Sequence, residues 1–568
     1  MKYNVIIGGG DMENKEYGFA ARKAESERRC LDMNIDKDSY GDVCMYNLYK
    51  GVRLDESNAT LEKIAEWYDY RRALTGRDPQ REIDFTAMRL VRILHFSAKN
   101  LTDAALGAVK HFFNTYNFES IYKSENHMLM FRLSRLIYAE IYPDEFLEYY
   151  NGYAKDFWEE DDKFLTDYMI FRAKRGWAEF DSFGYMGEIF KCLLTIRDCT
   201  RDKNLAKLCE ESMNVMFLDI FGDSMDGLYG GAHGRIYEGG ALSYRGADVM
   251  GVVKYYFDNR YVEKVPPLHF QLMSDYVPAD YVCEAFSAMP KTHENFESKH
   301  LHCISSTLPH RQVPQVPGSI NKYTYVTPDF VIGAVNFQDK YPDDSDAKWY
   351  AHHEQHEWDL TLPDALDCRI FTHHPGHCGD EGHEHGRWTG DLGCCCGQFF
   401  CHKNIVIATY DIPDKEVHLI NAMVPHKYFE EIFDGNYIFL KRGKTYVSLY
   451  FSQGYRRGCD EKYIDFEMES VGQKHAVVCE AATAAEYADF DEFIKEIKSH
   501  PVRFDKDKMT VEYKNLKLEP DARYIDGTAV KFPYNTYENP VVLEKFGTGK
   551  IYVGGREVVD FNKFAKER

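Results

Sequence analysis

The sequence predicts an α+β multidomain chain, an all-α half followed by an all-β half. Three observations carry this. Apolar residues recur at helical spacing from about 58 to 290, with no β signal among them. P-Q-V-P-G at 314–318 then punctuates the chain. Beyond it the pattern alternates with period two, in short runs that read as an antiparallel β-sandwich. The expected divisions are an N-terminal segment 1–57, a helical domain 58–295 and a sandwich domain 320–568, with the boundary near 295–320.

Residues 1–57 are mixed. V-I-I-G-G-G at 5–10 invites a dinucleotide-binding reading, but the third glycine is missing and Asp11, Glu13 and Glu16 would face the phosphates, so a loop or turn is the better reading. Leu61, Ile64, Ala65, Trp67 and Tyr68 form a helix face after the cap candidate Asn58. Asp84 opens the next helix, which carries Phe85, Met88, Leu90, Val91, Ile93 and Leu94. Further helices are expected near 103–116, 125–141, 143–156, 161–174, 183–199, 203–220, 242–256 and 270–287. Short connections such as Y-P-D at 142–144 imply antiparallel helical hairpins. No fixed-period repeat supports a solenoid. Strand patterns follow, among them Phe330–Val335, Ile405–Tyr410 and Thr445–Phe451, with one helix near 486–498.

A hydrophobic content of 44% and an aromatic content of 15% allow large cores. Net charge is 69 − 91 = −22, which argues against nucleic acid or an anionic membrane as a general partner. An acidic substrate in a local basic pocket stays open, and so does a homo-oligomer. No export signal and no apolar run of membrane length is evident, so the 15 cysteines read as reduced thiols of a cytoplasmic protein.

Four stretches could carry chemistry. S-E-N-H at 124–127 opens a helix with Ser124 as the expected N-cap. A helix start attracts a carboxylate and keeps a histidine neutral, so Asn126 offers a donor and His127 a base. K-R-G-W-A-E-F-D-S-F-G-Y at 174–185 repeats the theme, with Ser182 capping and Tyr185 in the first turn, and Arg175, Glu179 and Asp181 beside them. If the helices form a toroid, alternate helix starts collect at one end, and Asn126, His127 and Tyr185 could share a pocket. The Gly-rich loop 229–245 carries His233, Arg235, Tyr237, Tyr244 and Arg245, and its paired glycines must bend sharply or approach a ligand closely. Residues 350–402 are rich in His and Cys. There His352, His356, His373 and His374 are candidate ligands of a structural zinc, although no clean ligand spacing appears, and His353 could instead reach the cleft as a catalytic group.

Asn126-His127 at a helix start, followed by E-F-D-S-F-G-Y ending in Tyr185, resembles the polysaccharide lyases of the heparinase II/III and alginate lyase type. The resemblance implies an incomplete (α/α) toroid followed by antiparallel β-sheets, and β-elimination at a uronic acid with no required cofactor. It implies that Asn126 binds the substrate carboxylate, that His127 neutralises it or takes the proton, and that Tyr185 acts as base, acid or both. In such enzymes a His or Tyr from the β part can complete the site, and Tyr237, Tyr244, His352 and His353 are candidate partners here that the motifs do not fix. Glu125, Glu179, Arg175, His233, Arg235, Tyr244 and Arg245 are the expected substrate contacts. Two rival readings stand beside it. One is an (α/α)-barrel glycoside hydrolase working through Glu125, Glu179 and Asp181. The other is a non-catalytic carbohydrate-binding protein.

Overall fold

The computed structural model describes residues 18–38, 40–75, 83–118, 124–300, 304–305, 308–312, 319–338, 355–363, 365–375, 388 and 396–566. The N-terminal half is helical: α1 (Phe19–Leu31), α2 (Asp42–Lys50), α3 (Leu54–Thr75), α4 (Ile83–Ser97), α5 (Asp103–Thr115), α6 (Glu125–Ile141), α7 (Trp158–Arg175), α8 (Tyr185–Cys199), α9 (Lys203–Gly222), α10 (Glu238–Leu242), α11 (Asp248–Phe257), α12 (His269–Leu272) and α13 (Asp280–Ala288). Among the described residues no helix is long and apolar enough to cross a membrane, and no cysteine is in a disulfide.

Alternate helices pack side by side. α2 lies on α4, α4 on α6, and α6 on α8, while α3 pairs with α5 and α7 with α9. Contacts of α8 with α11, α11 with α1, and α1 with α2 close the circuit. Inner helices are buried nearly all round: every residue of α6 from Glu125 to Glu140 is buried, and α4 is buried from Ile83 to Leu94 except at Phe85, the polar ones among them being paired, as Arg89 is with Asp42 and Arg135 with Asp161. α4, α6 and α8 are each separated by one intervening helix, so they start at the same end of the circuit. The 1–57 segment belongs to this half. Arg22 donates to the carbonyls of Tyr255 and Tyr256, both at 2.9 Å.

Several expected helices differ. The stretch 143–156 is a short hairpin, Phe146–Leu147 against Gly152–Tyr153, flanked by 3-10 turns. Asn151 takes a left-handed conformation (φ 49°), the turn its Asn-Gly pair favours. The expected helix 270–287 is split into α12 and α13 around Pro278, and 242–256 is broken at Ser243–Gly246 before α11.

The second half is antiparallel throughout the described ladders. One sheet of 12 strands runs from Arg456–Arg457 at one edge to Arg556–Asp560 at the other. Its middle is Trp358–Thr361, Val331–Gln338, Ser319–Val326 and His293–His300, so the sheet begins just inside the expected helical domain. The chain returns at Tyr537–Glu538 to pair with His293–His300, adding its last strands beside its first. A sheet of 6 strands, Gly397–His402 to Glu430–Asp434, shares a core with it: Ile332, Ile370 and Ile420 of one join Val406, Val447 and Val477 of the other. Asn336 stitches the two together, donating to the Cys401 carbonyl at 2.8 Å and accepting from its N–H at 2.6 Å. A sheet of 5 strands (Arg503–Ala529) and the amphipathic helix α14 (Phe490–Ser499) cover the outer side, α14 burying Phe490, Phe493 and Ile497 against Phe439 and Tyr446.

The halves meet along the loop 228–237. His233 and His356 form an isolated backbone bridge, with N–H to carbonyl distances of 2.9 and 2.8 Å. The glycine pair 230–231 is explained here. A Cβ on Gly230 would lie 2.9 Å from Val331 Cγ1, and one on Gly231 would lie 2.8 Å from Thr324 Oγ1. These glycines let the backbone approach the sheet rather than a ligand, which corrects the ligand alternative.

Candidate functional site

Three helix starts meet at one end of the circuit. Asp84 stands in the first turn of α4, Asn126 and His127 in the first turn of α6, and Tyr185 begins α8. His127 Nδ1 lies 2.5 Å from Asp84 Oδ2. A carboxylate there accepts the proton of Nδ1, the tautomer that puts the ring's lone pair on Nε2. The imidazole packs edge-on against Phe85 (5.6 Å) and keeps 11% of its side chain exposed. Ser124 has the extended backbone of an N-cap, but its side chain caps nothing. Ser182 does cap: its Oγ accepts from the Tyr185 N–H at 3.1 Å and donates to the Arg235 carbonyl at 2.8 Å.

Arg235 links the second and third stretches. Its guanidinium lies over the Tyr185 ring, 3.9 Å from the centroid. Nη1 donates to Glu179 Oε1 at 2.5 Å, and Nη2 lies 3.4 Å from the Tyr237 hydroxyl. Tyr185 and Tyr237 hydrogen-bond through their hydroxyls. Asn126 Nδ2 donates to both Glu179 oxygens, at 2.9 and 2.8 Å. Burial pushes the Tyr185 phenol well up; Arg235 opposes this without overcoming it, so the hydroxyl holds its proton at neutral pH. The β half grips the adjoining residue, since Glu238 accepts from Lys462 Nζ (2.6 Å) and the Tyr463 hydroxyl (2.8 Å).

The structure thus brings together Asn126, His127, Glu179, Tyr185, Arg235 and Tyr237, and adds Asp84, which sequence reasoning used only as a helix start. It separates the others. Glu125 is a buried anchor: it accepts from the Tyr168 hydroxyl (2.5 Å) and from the backbone N–H groups of Ala178 (2.9 Å) and Glu179 (3.1 Å), and pairs with Arg172 at 2.5 Å. Arg175 stacks on Phe546, 4.3 Å away, in the C-terminal strands. Tyr244 is buried, donating to the Gly227 carbonyl and accepting from the Tyr229 N–H, both at 2.7 Å. Arg245 is exposed at the surface. His233 is fully buried, its Nδ1 2.8 Å from the Asp181 carbonyl, and burial holds its pKa well below the ordinary range. Glu125, Arg175, Tyr244 and His233 are thus engaged within the fold, which corrects their expected role as substrate contacts.

Asp181 is fully buried in a left-handed backbone conformation (φ 52°). Its carboxylate takes the Lys322 ammonium and the Tyr229 hydroxyl (2.5 Å). Asp219, Asp223, Glu297 and Lys299 complete the cluster, with Lys299 Nζ 2.6 Å from Asp219 and 3.2 Å from Glu297. Among the described residues these four carboxylates are the one group spaced to hold a metal ion. Two lysine ammonium groups already stand among them. The histidines expected as zinc ligands are engaged apart from one another. His356 Nε2 is 3.0 Å from Asp359, which also takes Arg369. His373 stacks on Trp388 at 5.2 Å, and His374 Nε2 is 2.9 Å from the Val417 carbonyl. His352 and His353 lie outside the described residues.

No protein-family model matches the chain, and no curated protein does. Among solved structures, the chain is similar to the heparan sulfate lyase HepC from Pedobacter heparinus at 11% identity, over 86% of this chain and 80% of that one, with a TM-score of 0.34. A mutant of that lyase aligns over 92% of this chain and 84% of its own at 10% identity, TM-score 0.35. A Paenibacillus xanthan lyase aligns over 92% of this chain and 64% of its own, at 10% identity and TM-score 0.35.

Proposed function

We propose that the chain is a carbon–oxygen lyase that cleaves a uronate-containing oligosaccharide by β-elimination, in a site at one end of an incomplete helical toroid. One observation carries the reading. The groups that keep some exposure where these helix starts meet, the mouth of the site, are an Asp-oriented histidine, two hydrogen-bonded phenols and a guanidinium. Of the three carboxylates a hydrolase would draw on, Glu125 is buried against Arg172 and Asp181 against Lys322, which leaves Glu179 without a second carboxylate to work with.

The chemistry follows from elementary demands. A proton α to a carboxylate becomes removable only when that carboxylate is neutralised, and Arg235 with Asn126 supplies charge and an amide donor for this. His127, held through Nδ1 by Asp84, takes the proton on Nε2. The carbon–hydrogen electron pair becomes the new alkene as the bond to the glycosidic oxygen breaks. Tyr185, kept protonated by its burial, delivers its proton to that leaving oxygen, and Tyr237 stabilises the resulting phenolate through the shared hydrogen bond.

His127→Ala and Tyr185→Phe are each expected to lower turnover by about 10²–10⁴-fold on a uronate oligosaccharide, the usual contribution of a positioned acid or base. The ultraviolet absorbance of the carboxylate-conjugated alkene is the readout. Full activity in both variants, or release of reducing sugar without that absorbance, would overturn the reading and favour a hydrolase. Binding without turnover over a broad panel would favour the carbohydrate-binding reading.

A further inference from the structure

Asn126 and Arg235, the groups suited to hold a uronate carboxylate, are both engaged by a carboxylate of the chain itself. The Asn126 amide reaches both Glu179 oxygens, and Arg235 takes one of them at 2.5 Å. Asn126 is fully buried, so no ligand reaches its amide while Glu179 is in place. Glu179 and Arg235 are not sealed in: their side chains keep 8% and 19% of their exposure. The backbone beneath Glu179 is pinned, because its N–H and that of Ala178 both bind the buried Glu125. The loop is therefore fixed, and the part of Glu179 that can be exchanged is its partly exposed carboxylate. Two ionised carboxylates do not share one amide-and-guanidinium cradle, since like charges at that range disfavour each other's ionisation.

We propose that Glu179 is a specificity-determining placeholder. Its carboxylate fills the Asn126–Arg235 cradle in the empty site and is exchanged for the carboxylate of an acidic sugar. A neutral sugar brings nothing to displace it and leaves the cradle closed. The inference rests on the uronate reading above, and the test separates the two.

Glu179→Ala empties the cradle. Sodium acetate is expected to raise the Tm of this variant toward that of the wild type, while sodium chloride at equal ionic strength does not and acetate leaves the wild type unchanged. In a Tyr185→Phe background, Glu179→Ala is expected to bind D-glucuronate about tenfold more tightly, the factor for an open cradle populated in one wild-type molecule in ten. Methyl glucoside, which has no carboxylate, should bind all forms equally. Glu179→Gln, which keeps the shape, is run beside it and should also gain glucuronate affinity. Acetate acting no better than chloride, or glucuronate binding no more tightly to either variant, would overturn the placeholder. Acetate rescue without uronate turnover by the wild type would leave the placeholder standing and overturn the elimination reading alone.

Discussion

Glu179 and Asp181 sit on the same turn, yet their environments are opposite. Glu179 faces the mouth and is held by one amide and one partly exposed guanidinium. Asp181 is fully buried and paired with Lys322, and both groups have 0% side-chain exposure. Burial pushes the Asp181 carboxyl up, but Lys299 and Lys322 outweigh this and hold it below the ordinary range. Asp181 belongs to a buried cluster of mixed charge. The cluster has four carboxylates and two ammonium groups, and burial raises Asp223 to about 7 and Asp219 well above its usual value. Asp181 therefore serves the joint between helices and sheet, while Glu179 stays partly exposed among the groups of the helix starts. Adjacent acidic residues in a sequence carry no functional label until their partners and exposure are known.

Two cations break or sharpen that contrast. Lys322→Met leaves Asp181 and Asp223 buried without their ammonium, and a broken buried pair costs about 3–5 kcal/mol. Arg235→Met removes a cation from a carboxylate that keeps its Asn126 amide, so the stability loss is expected at roughly 1–2 kcal/mol while turnover is lost. Chemical denaturation of both variants, read beside turnover, tests this. If Arg235→Met destabilises as much as Lys322→Met, the two sites are not different in kind.

Much of the mouth was legible because it sits at helix starts. Apolar periodicity after Ser124 and after Ser182 placed Asn126, His127 and Tyr185 at the beginnings of α6 and α8, and alternate packing put those beginnings together. The Gly-rich loop flagged Arg235 and Tyr237, but its glycines are there for the sheet. Long-range pairings were not legible. The Asp84–His127 contact spans 43 residues and two helices, and nothing local announces it. Lys299 and Lys322 lie in strands, where a lysine reads as solvent-facing; they are buried because the helical half covers that face of the sheet. The same covering makes His233 and Tyr244 structural although their loop looked like a binding loop. The hairpin at 146–153 was overlooked because its aromatic spacing mimics a helix, while Asn151-Gly152 favoured a turn.

A slope rather than a fixed loss is expected from the pH dependence of the buried cluster. Asp223 is raised to about 7, first by burial, then by Glu297, against the pull of Lys322. An acid whose folded-state pKa is raised binds its proton more tightly in the native chain. Its favourable contribution is therefore present below the unfolded value near 3.9 and is lost as pH climbs to about 7. Asp223→Asn removes this titration but keeps an acceptor for Lys322. Whatever fixed cost the substitution carries, the stability of the variant relative to the wild type should rise with pH across that window, by at most about 1.4 kcal/mol per unit, and stay flat above it. Urea unfolding of both forms at pH 5, 6, 7 and 8 measures the slope. A relative stability that stays flat from pH 5 to 8 would mean that Asp223 is already ionised throughout that range, and one that still rises above pH 7 would mean that it holds its proton more tightly than this.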